Sequence, residues 1–212
     1  MPLIKKIECS EGWGGIWKVT EPLEYLIDSL SESEKIEFHA KTNHYCVKRQ
    51  KEYVAVRILL KQLYKDALIG YYPSGKPFLL NSKINISITH SDNYVAVLLS
   101  NRHIPGIDIE VKKEKIQRLR NRILGATEVA ETIDELYLHW CAKETAYKIL
   151  NREYIDFREN LTIEKLGIKS SMHSGKEASS FLLSYHLDNE TKGILTINYE
   201  LNEEYIMTYS FK

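Results

Sequence analysis

Two short segments hold the residues whose types and spacing point to chemistry. They are Gly106-Ile107-Asp108-Ile109-Glu110 and Trp140-Cys141-Ala142-Lys143-Glu144-Thr145-Ala146-Tyr147-Lys148. The alternation Ile-Asp-Ile-Glu reads as a strand, so Asp108 and Glu110 leave one face and Ile107 and Ile109 the other. Trp140, Glu144 and Lys148 stand at i, i+4 and i+8, one face of a helix. Three carboxylates and a lysine can therefore converge between a strand and a helix. Hard oxygen ligands in that number suit Mg²⁺, which completes its octahedron with water and substrate phosphate. On spacing alone two other settings fit as well. Asp108 and Glu110 could lie on a solvent-facing edge strand, and Glu144 with Lys148 could be an i,i+4 surface pair worth a few tenths of a kcal/mol. Trp140 on the same helical face argues for something buried there.

Smaller signals surround this core. Ile86-Ser87-Ile88-Thr89-His90-Ser91 ends a strand with hydroxyls and an imidazole, which with the amides of a following turn can cradle a phosphate. A histidine bonded to its own turn fits those residues equally. Gly75-Lys76-Pro77 presents a lysine on a stiff loop. No Gly-x-Ser-x-Gly elbow surrounds a serine, which removes the α/β-hydrolase triad, and no Walker A run is present.

The elements that must position these residues follow from periodicity. A strand is expected over 13–20. A helix starts at Ser31, with Glu34 at the capping-box position. A second helix spans Lys48 to Tyr64, with Arg57 and Lys61 off its apolar stripe. Residues 72–77 form a loop. Strands cover 84–89 and 94–100, joined by a turn at His90–Asn93, and another turn at 101–105 leads into the Gly106–Glu110 strand. The second half holds a basic amphipathic segment at 112–124 and a helix at 133–150. A Ser- and Gly-rich loop at 169–178 precedes strands at 181–187, 193–201 and 205–211. Each half reads as helix then strands, which suggests domains at 1–102 and 103–212.

Composition sets outer bounds. The chain has 212 residues, 43% hydrophobic and 27% charged, the profile of an ordinary globular protein. Its 29 basic residues balance 29 acidic ones, which argues against nucleic acid as a partner. Cys9, Cys46 and Cys141 are scattered without metal or disulfide spacing, so a reducing, cytoplasmic setting is expected. No secretory signal and no membrane-spanning apolar run is visible.

In their order along the chain, Gly75-Lys76-Pro77, Thr89-His90-Ser91, Gly106–Glu110 and Trp140-x-x-Lys143-Glu144-x-x-x-Lys148 resemble the motifs of the 4'-phosphopantetheinyl transferases. Within them the chain looks like the longer, monomeric class typified by the surfactin synthetase activator. The resemblance implies an α+β fold of two similar halves, each a helix packed on a small antiparallel sheet, pseudo-twofold related with the site in the cleft between them. It implies transfer of the phosphopantetheine arm of coenzyme A to a serine of an apo acyl or peptidyl carrier protein, leaving adenosine 3',5'-bisphosphate. Asp108, Glu110 and Glu144 match the family's Mg²⁺ ligands, with Mn²⁺ as a substitute. Glu144 also matches its base, directly or through water, and Lys148 the lysine beside the diphosphate. His90 matches the phosphate-contacting histidine, Lys76 a lysine that helps hold the nucleotide end, and Thr89 replaces the serine more usual before that histidine, keeping the hydroxyl. Lys35 and Arg49 match less sharply the upstream basic residues at the 3'-phosphate. Arg122 and Glu128 fall in a segment that is structural or carrier-facing. The chain departs from many relatives after Lys148, where Ile149-Leu150-Asn151-Arg152 replaces a Gly-x-Gly-Leu turn. The residues also fit a Mg²⁺-dependent nucleotide phosphodiesterase or pyrophosphatase, or an inactive coenzyme A binder.

Overall fold

The computed structural model describes residues 3–173 and 176–212, with side chains described outside 165–178. The fold is mixed helix and antiparallel sheet, and the chain divides into compact units at Met1–Asn101 and Arg102–Lys212. Among the described residues no helix is long and apolar enough to cross a membrane.

The N-terminal unit opens with strands β1 (Leu3–Glu8) and β2 (Trp13–Lys18), followed by helices α1 (Leu23–Asp28), α2 (Glu32–Thr42) and α3 (Val47–Leu63). A two-stranded hairpin, β3 (Ile69–Tyr71) and β4 (Pro77–Leu79), leads to β5 (Asn85–Ser91) and β6 (Tyr94–Ser100). The main sheet has the order β1-β2-β6-β5, and α3 packs across β2 and β6. Val54, Leu59 and Leu60 of α3 meet Trp17, Val97 and Leu99 in a core closed by Leu26 and Phe38. Helix α2 starts as its sequence demands: Glu34 reaches back to accept from the Ser31 amide at 3.0 Å.

Three expectations need correction in this unit. β1, α1 and the β3–β4 hairpin lack enough periodic residues to announce themselves. His90 and Ser91 stay in β5, paired with Val95 and Tyr94, so the turn is only Asp92-Asn93, with Asp92 at φ 49°. Arg57 is buried, not off the core face; its guanidinium lies 3.3 Å from the Tyr53 ring centroid and donates to the Tyr53 carbonyl.

The C-terminal unit runs from β7 (Pro105–Val111) through a short 3-10 helix (Glu114–Leu119) and α4 (Arg120–Ile123) to α5 (Ile133–Leu150). Strands β8 (Leu161–His173), β9 (Lys176–His186), β10 (Lys192–Leu201) and β11 (Tyr205–Phe211) follow. The sheet order is β7-β11-β10-β9-β8, all antiparallel, and α5 lies over β7, β11 and β10. Leu136, Ala142, Ala146 and Ile149 of α5 pack with Leu161, Leu183, Ile197 and Ile206. The loop expected at 169–178 is instead strand up to His173 and again from Lys176, while 174–175 lie outside the described residues. Backbone pairing of β8 with β9 does not depend on side-chain polarity, so Ser and Gly content misled there. The basic segment at 112–124 is split into the 3-10 helix and a single turn of α4.

Helix α5 is capped at both ends. Thr132 Oγ1 accepts from the Glu135 amide and Glu135 returns to the Thr132 amide, both at 3.1 Å. Such a cap contributes about 1 kcal/mol. At the other end Asn151 takes the left-handed conformation, φ 46°, and its amide bonds the Tyr147 carbonyl at 2.9 Å. Asparagine thus ends the helix where a glycine is usual.

Gly106 sets how closely α5 meets β7. A Cβ there would stand 2.5 Å from the Thr145 carbonyl oxygen and 2.6 Å from Ile149 Cγ1. The first is backbone and cannot rotate aside. Gly106→Ala is therefore expected to lift α5 off the strand, at a cost of about 1–3 kcal/mol. Thermal melts should show a fall in Tm of roughly 2–4 °C per kcal/mol. An unchanged Tm would show that the helix does not need this approach.

Candidate active site

The same-face residues of β7 all meet α5. Gly106 lies under Thr145 and Ile149, Asp108 under Lys148, and Glu110 under Trp140. Two strand residues advance about 6.6 Å and the eight helical steps from Trp140 to Lys148 about 12 Å, so the long side chains at 140 and 148 span the difference. Lys148 Nζ donates to Asp108 Oδ1 at 2.8 Å and to the Ile107 carbonyl at 2.7 Å. Trp140 Nε1 donates to Glu110 Oε1 at 3.3 Å. Glu144 lies on the helix midway between those two anchors. A second lock holds the helix: Thr145 Oγ1 is 2.7 Å from Thr208 Oγ1 on β11, and Thr208 is the register partner of Asp108.

The carboxylates feel one another. Burial first, and then the charges of Asp108 and Glu110, push the Glu144 carboxyl up to about 7, against the opposing pull of Lys148. Burial and the same two carboxylates also raise the Cys141 thiol, which hydrogen-bonds Asp108 and is fully enclosed. One lysine thus faces three acids. Among the described residues no three His, Cys, Asp or Glu side chains form a group that could hold a metal ion as they stand. Asp108 is drawn toward Lys148 instead. The donor set is nevertheless of the hard-oxygen kind, and the mutual repulsion at Glu144 is of the kind that a divalent cation would relieve.

Behind this face sits a buried ion pair that the sequence reading passed over. Lys143 is fully buried, and its Nζ donates to Glu128, to the Ile123 carbonyl at 2.8 Å and to the Phe157 carbonyl at 2.7 Å. All three of its protons are used. Burial lowers the Lys143 ammonium from its ordinary value while Glu128 opposes that shift. Glu128 also accepts from the amides of Gly125 at 2.7 Å and Ile163 at 2.8 Å. One helix residue thereby ties α5 to α4, to the 125–128 turn, to the loop after the helix and to β8. The signal was present in the sequence: Lys143 falls in the stripe Leu136, His139, Lys143, Ala146, all buried. A lysine in such a stripe calls for an internal acid. Phe157 of the same loop packs its ring near Trp140 and Tyr147.

In the N-terminal unit, His90 stands exposed at the end of β5 with Thr89 buried beside it. Arg49 of α3 contacts His90 Nε2, and both reach Glu52, a nearly buried acid that no sequence motif singled out. Lys76 follows Gly75, whose φ of 83° closes the turn in which the Gly75 amide bonds the Tyr72 carbonyl at 2.8 Å. Burial lowers the Lys76 ammonium. Lys35 pairs with Glu32 of its own helix at 2.8 Å. The structure thus joins Arg49 to His90, whereas Lys35 is held by a neighbour on α2.

Residues 105–209 match the model of the 4'-phosphopantetheinyl transferase superfamily. A Haemophilus influenzae protein carrying the provisional name of 4'-phosphopantetheinyl transferase is 28% identical over 142 residues, covering 60% of each chain. The present chain therefore spans 60% of the length of that relative. Both similarities support a transferase, and the superfamily match contains Asp108, Glu110, Glu144 and Lys148.

The raised Glu144 carboxyl has a consequence for stability. Because its folded pKa exceeds the unfolded one, the folded state holds the extra proton between about 4.5 and 7. Its contribution is full below that window and is lost as pH rises through about 7. Glu144→Gln should remove this loss, leaving the variant more stable than wild type at pH 8 and little different at pH 5. The upper bound is about 3 kcal/mol, at ~1.4 kcal/mol per pKa unit. Urea midpoints measured across that range check it, and parallel pH profiles for the two proteins would refute it.

Proposed function

We propose that the protein transfers the 4'-phosphopantetheine arm of coenzyme A to a serine hydroxyl of an apo acyl or peptidyl carrier protein, as a member of the longer, surfactin-activator class. The observation that carries this reading is the meeting of Asp108, Glu110, Glu144 and Lys148 on one strand–helix face, inside the stretch that matches the superfamily. The serine oxygen forms a bond to the β-phosphorus of coenzyme A. The bond from that phosphorus to the bridging oxygen breaks, and adenosine 3',5'-bisphosphate leaves with the electron pair. The serine proton passes to the Glu144 carboxylate, through a water.

A carboxyl near neutral pKa suits proton transfer at neutral pH. Ligation of a cation lowers that pKa, which is why a relay through water is preferred to direct abstraction. Asp108, Glu110 and Glu144 would hold Mg²⁺ or Mn²⁺, which when bound neutralises charge on the diphosphate. Lys148, already aimed at Asp108, supplies positive charge where the leaving phosphate becomes more negative. Lys76, Thr89, His90 and Arg49, with Lys35, are assigned to the phosphates of coenzyme A. Free Cys9, Cys46 and Cys141 support a reducing, cytoplasmic setting. The proposed state is a monomer, which size-exclusion chromatography with light scattering would test.

The direct test is incubation with coenzyme A, Mg²⁺ and candidate apo carriers, read by intact mass for the gain of one phosphopantetheine. EDTA should abolish transfer and added Mg²⁺ restore it; full activity in EDTA would remove the metal assignment. Asp108→Ala should cost on the order of 1,000-fold in turnover, about 4 kcal/mol. Breakdown of coenzyme A without any carrier, and no transfer with one, would favour a diphosphate hydrolase.

The basic residues should separate kinetically. Lys76→Ala is expected to raise KM for coenzyme A with little change in kcat, the mark of uniform binding. Lys148→Ala should depress kcat. Equal effects of both variants on KM alone would place Lys148 away from the reacting phosphate.

A further inference from the structure

Glu52 lies outside every motif read from the sequence, yet an arginine and a histidine of the N-terminal unit converge on it. It is 8% exposed, whereas Arg49 and His90 reach solvent. Arg49 Nη1 donates to Glu52 Oε2 at 3.0 Å and contacts His90 Nε2. His90 Nδ1 stands 3.4 Å from the same Glu52 oxygen. The guanidinium can donate only to an unprotonated Nε2, so the neutral ring carries its proton on Nδ1, the side that faces Glu52. A carboxylate this enclosed is costly unless paired. The other charges nearby are Lys48 and Lys51 on α3 and Asp92 in the β5–β6 turn. Lys48 is committed to Asp92 at 3.2 Å. Beside the carboxylate opens a cavity of about 300 Å³ walled by Val19, Val47, Lys51 and Val95. The i,i+3 spacing of Arg49 and Glu52 alone would suggest an ordinary helix pair. Burial and the shared contact with a residue of another element do not.

We propose that Glu52 is a positioning residue that sets Arg49 and His90 as one anion-binding pair for a phosphate of coenzyme A. This role rests on the transferase reading. As the phosphate arrives, its oxygen replaces Nε2 as the acceptor for Arg49, and the ring takes up a proton from solvent on Nε2 and donates it in a hydrogen bond to a second oxygen. Two cations then lie side by side, and Glu52 is the charge that lets them do so. Without it, the ring would put its single proton on Nε2 and turn away from the guanidinium.

The test compares wild type with Glu52→Ala and Glu52→Gln in the full chain. Glu52→Ala should raise KM for coenzyme A at least fivefold with kcat within twofold, and Glu52→Gln, which keeps an acceptor but no charge, should fall between. Ring ¹⁵N shifts of His90 should report the Nδ1–H tautomer in wild type and Glu52→Gln, and the Nε2–H tautomer in Glu52→Ala. A structural role alone would lower Tm without moving the tautomer. If Glu52→Ala does not fold, Glu52→Gln kinetics and its ring shifts decide. An active wild type with unchanged KM and tautomer in both variants overturns the role of Glu52 and leaves the transferase reading standing. A wild type that binds coenzyme A by calorimetry but transfers nothing overturns the transferase reading, and the effect of Glu52→Ala on that affinity still judges Glu52.

Discussion

An excess of negative charge on the face shared by β7 and α5 is the constraint on which the rest of the C-terminal unit depends. Asp108, Glu110 and Glu144 stand there with Lys148, and the imbalance shows in the Glu144 carboxyl, pushed up to about 7. Such an arrangement is unfavourable in isolation, because buried like charges repel and lose hydration. The surrounding contacts hold the helix and the strand together all the same. Gly106 brings the helix close, Thr145 fixes it to Thr208, and Lys143 ties it to the loops behind. The cost is carried by the fold as a whole, which is the pattern expected where local strain serves a reaction.

In the proposed reaction the same excess gives Glu144 two roles that pull against each other. A carboxyl near neutrality is a suitable proton acceptor, and a carboxylate bound to a cation is a poor one. A water between Glu144 and the acceptor hydroxyl reconciles the two. Lys148 likewise has a double task. In the structure it neutralises Asp108, and in the proposed reaction it serves the phosphate, so its commitment to β7 must be loose enough to share. Its ammonium is partly exposed and carries three protons, so it can serve the Asp108 carboxylate, the Ile107 carbonyl and a further acceptor.

The N-terminal unit manages charge in the opposite sense. There a single enclosed acid, Glu52, organises two groups that are or can become cationic. One unit concentrates anions around a lysine and the other concentrates cations around a glutamate.

Much of this was legible in the chain itself. The helix at 133–150, the strand at 106–110 and their facing residues follow from periods of 3.6 and 2, which backbone geometry imposes whatever the surroundings. The Ser31–Glu34 start of α2 is local chemistry and was equally readable. Composition failed where pairing decides, as at 169–173 and 176–178, because the two arms of one hairpin satisfy each other's backbone groups that Ser and Gly seem to free. Tertiary structure alone decided the charge balance. The stripe within α5 calls for an acid at Lys143 but does not say that Glu128 and two carbonyls will supply its partners, or that Lys148 will choose Asp108 over Glu144 one turn away. Nor does the helix from Val47 to Leu63 say that Glu52 will meet a histidine 38 positions further on. Periodicity determines which way a side chain points, and burial and the neighbours it meets there determine what its charge does.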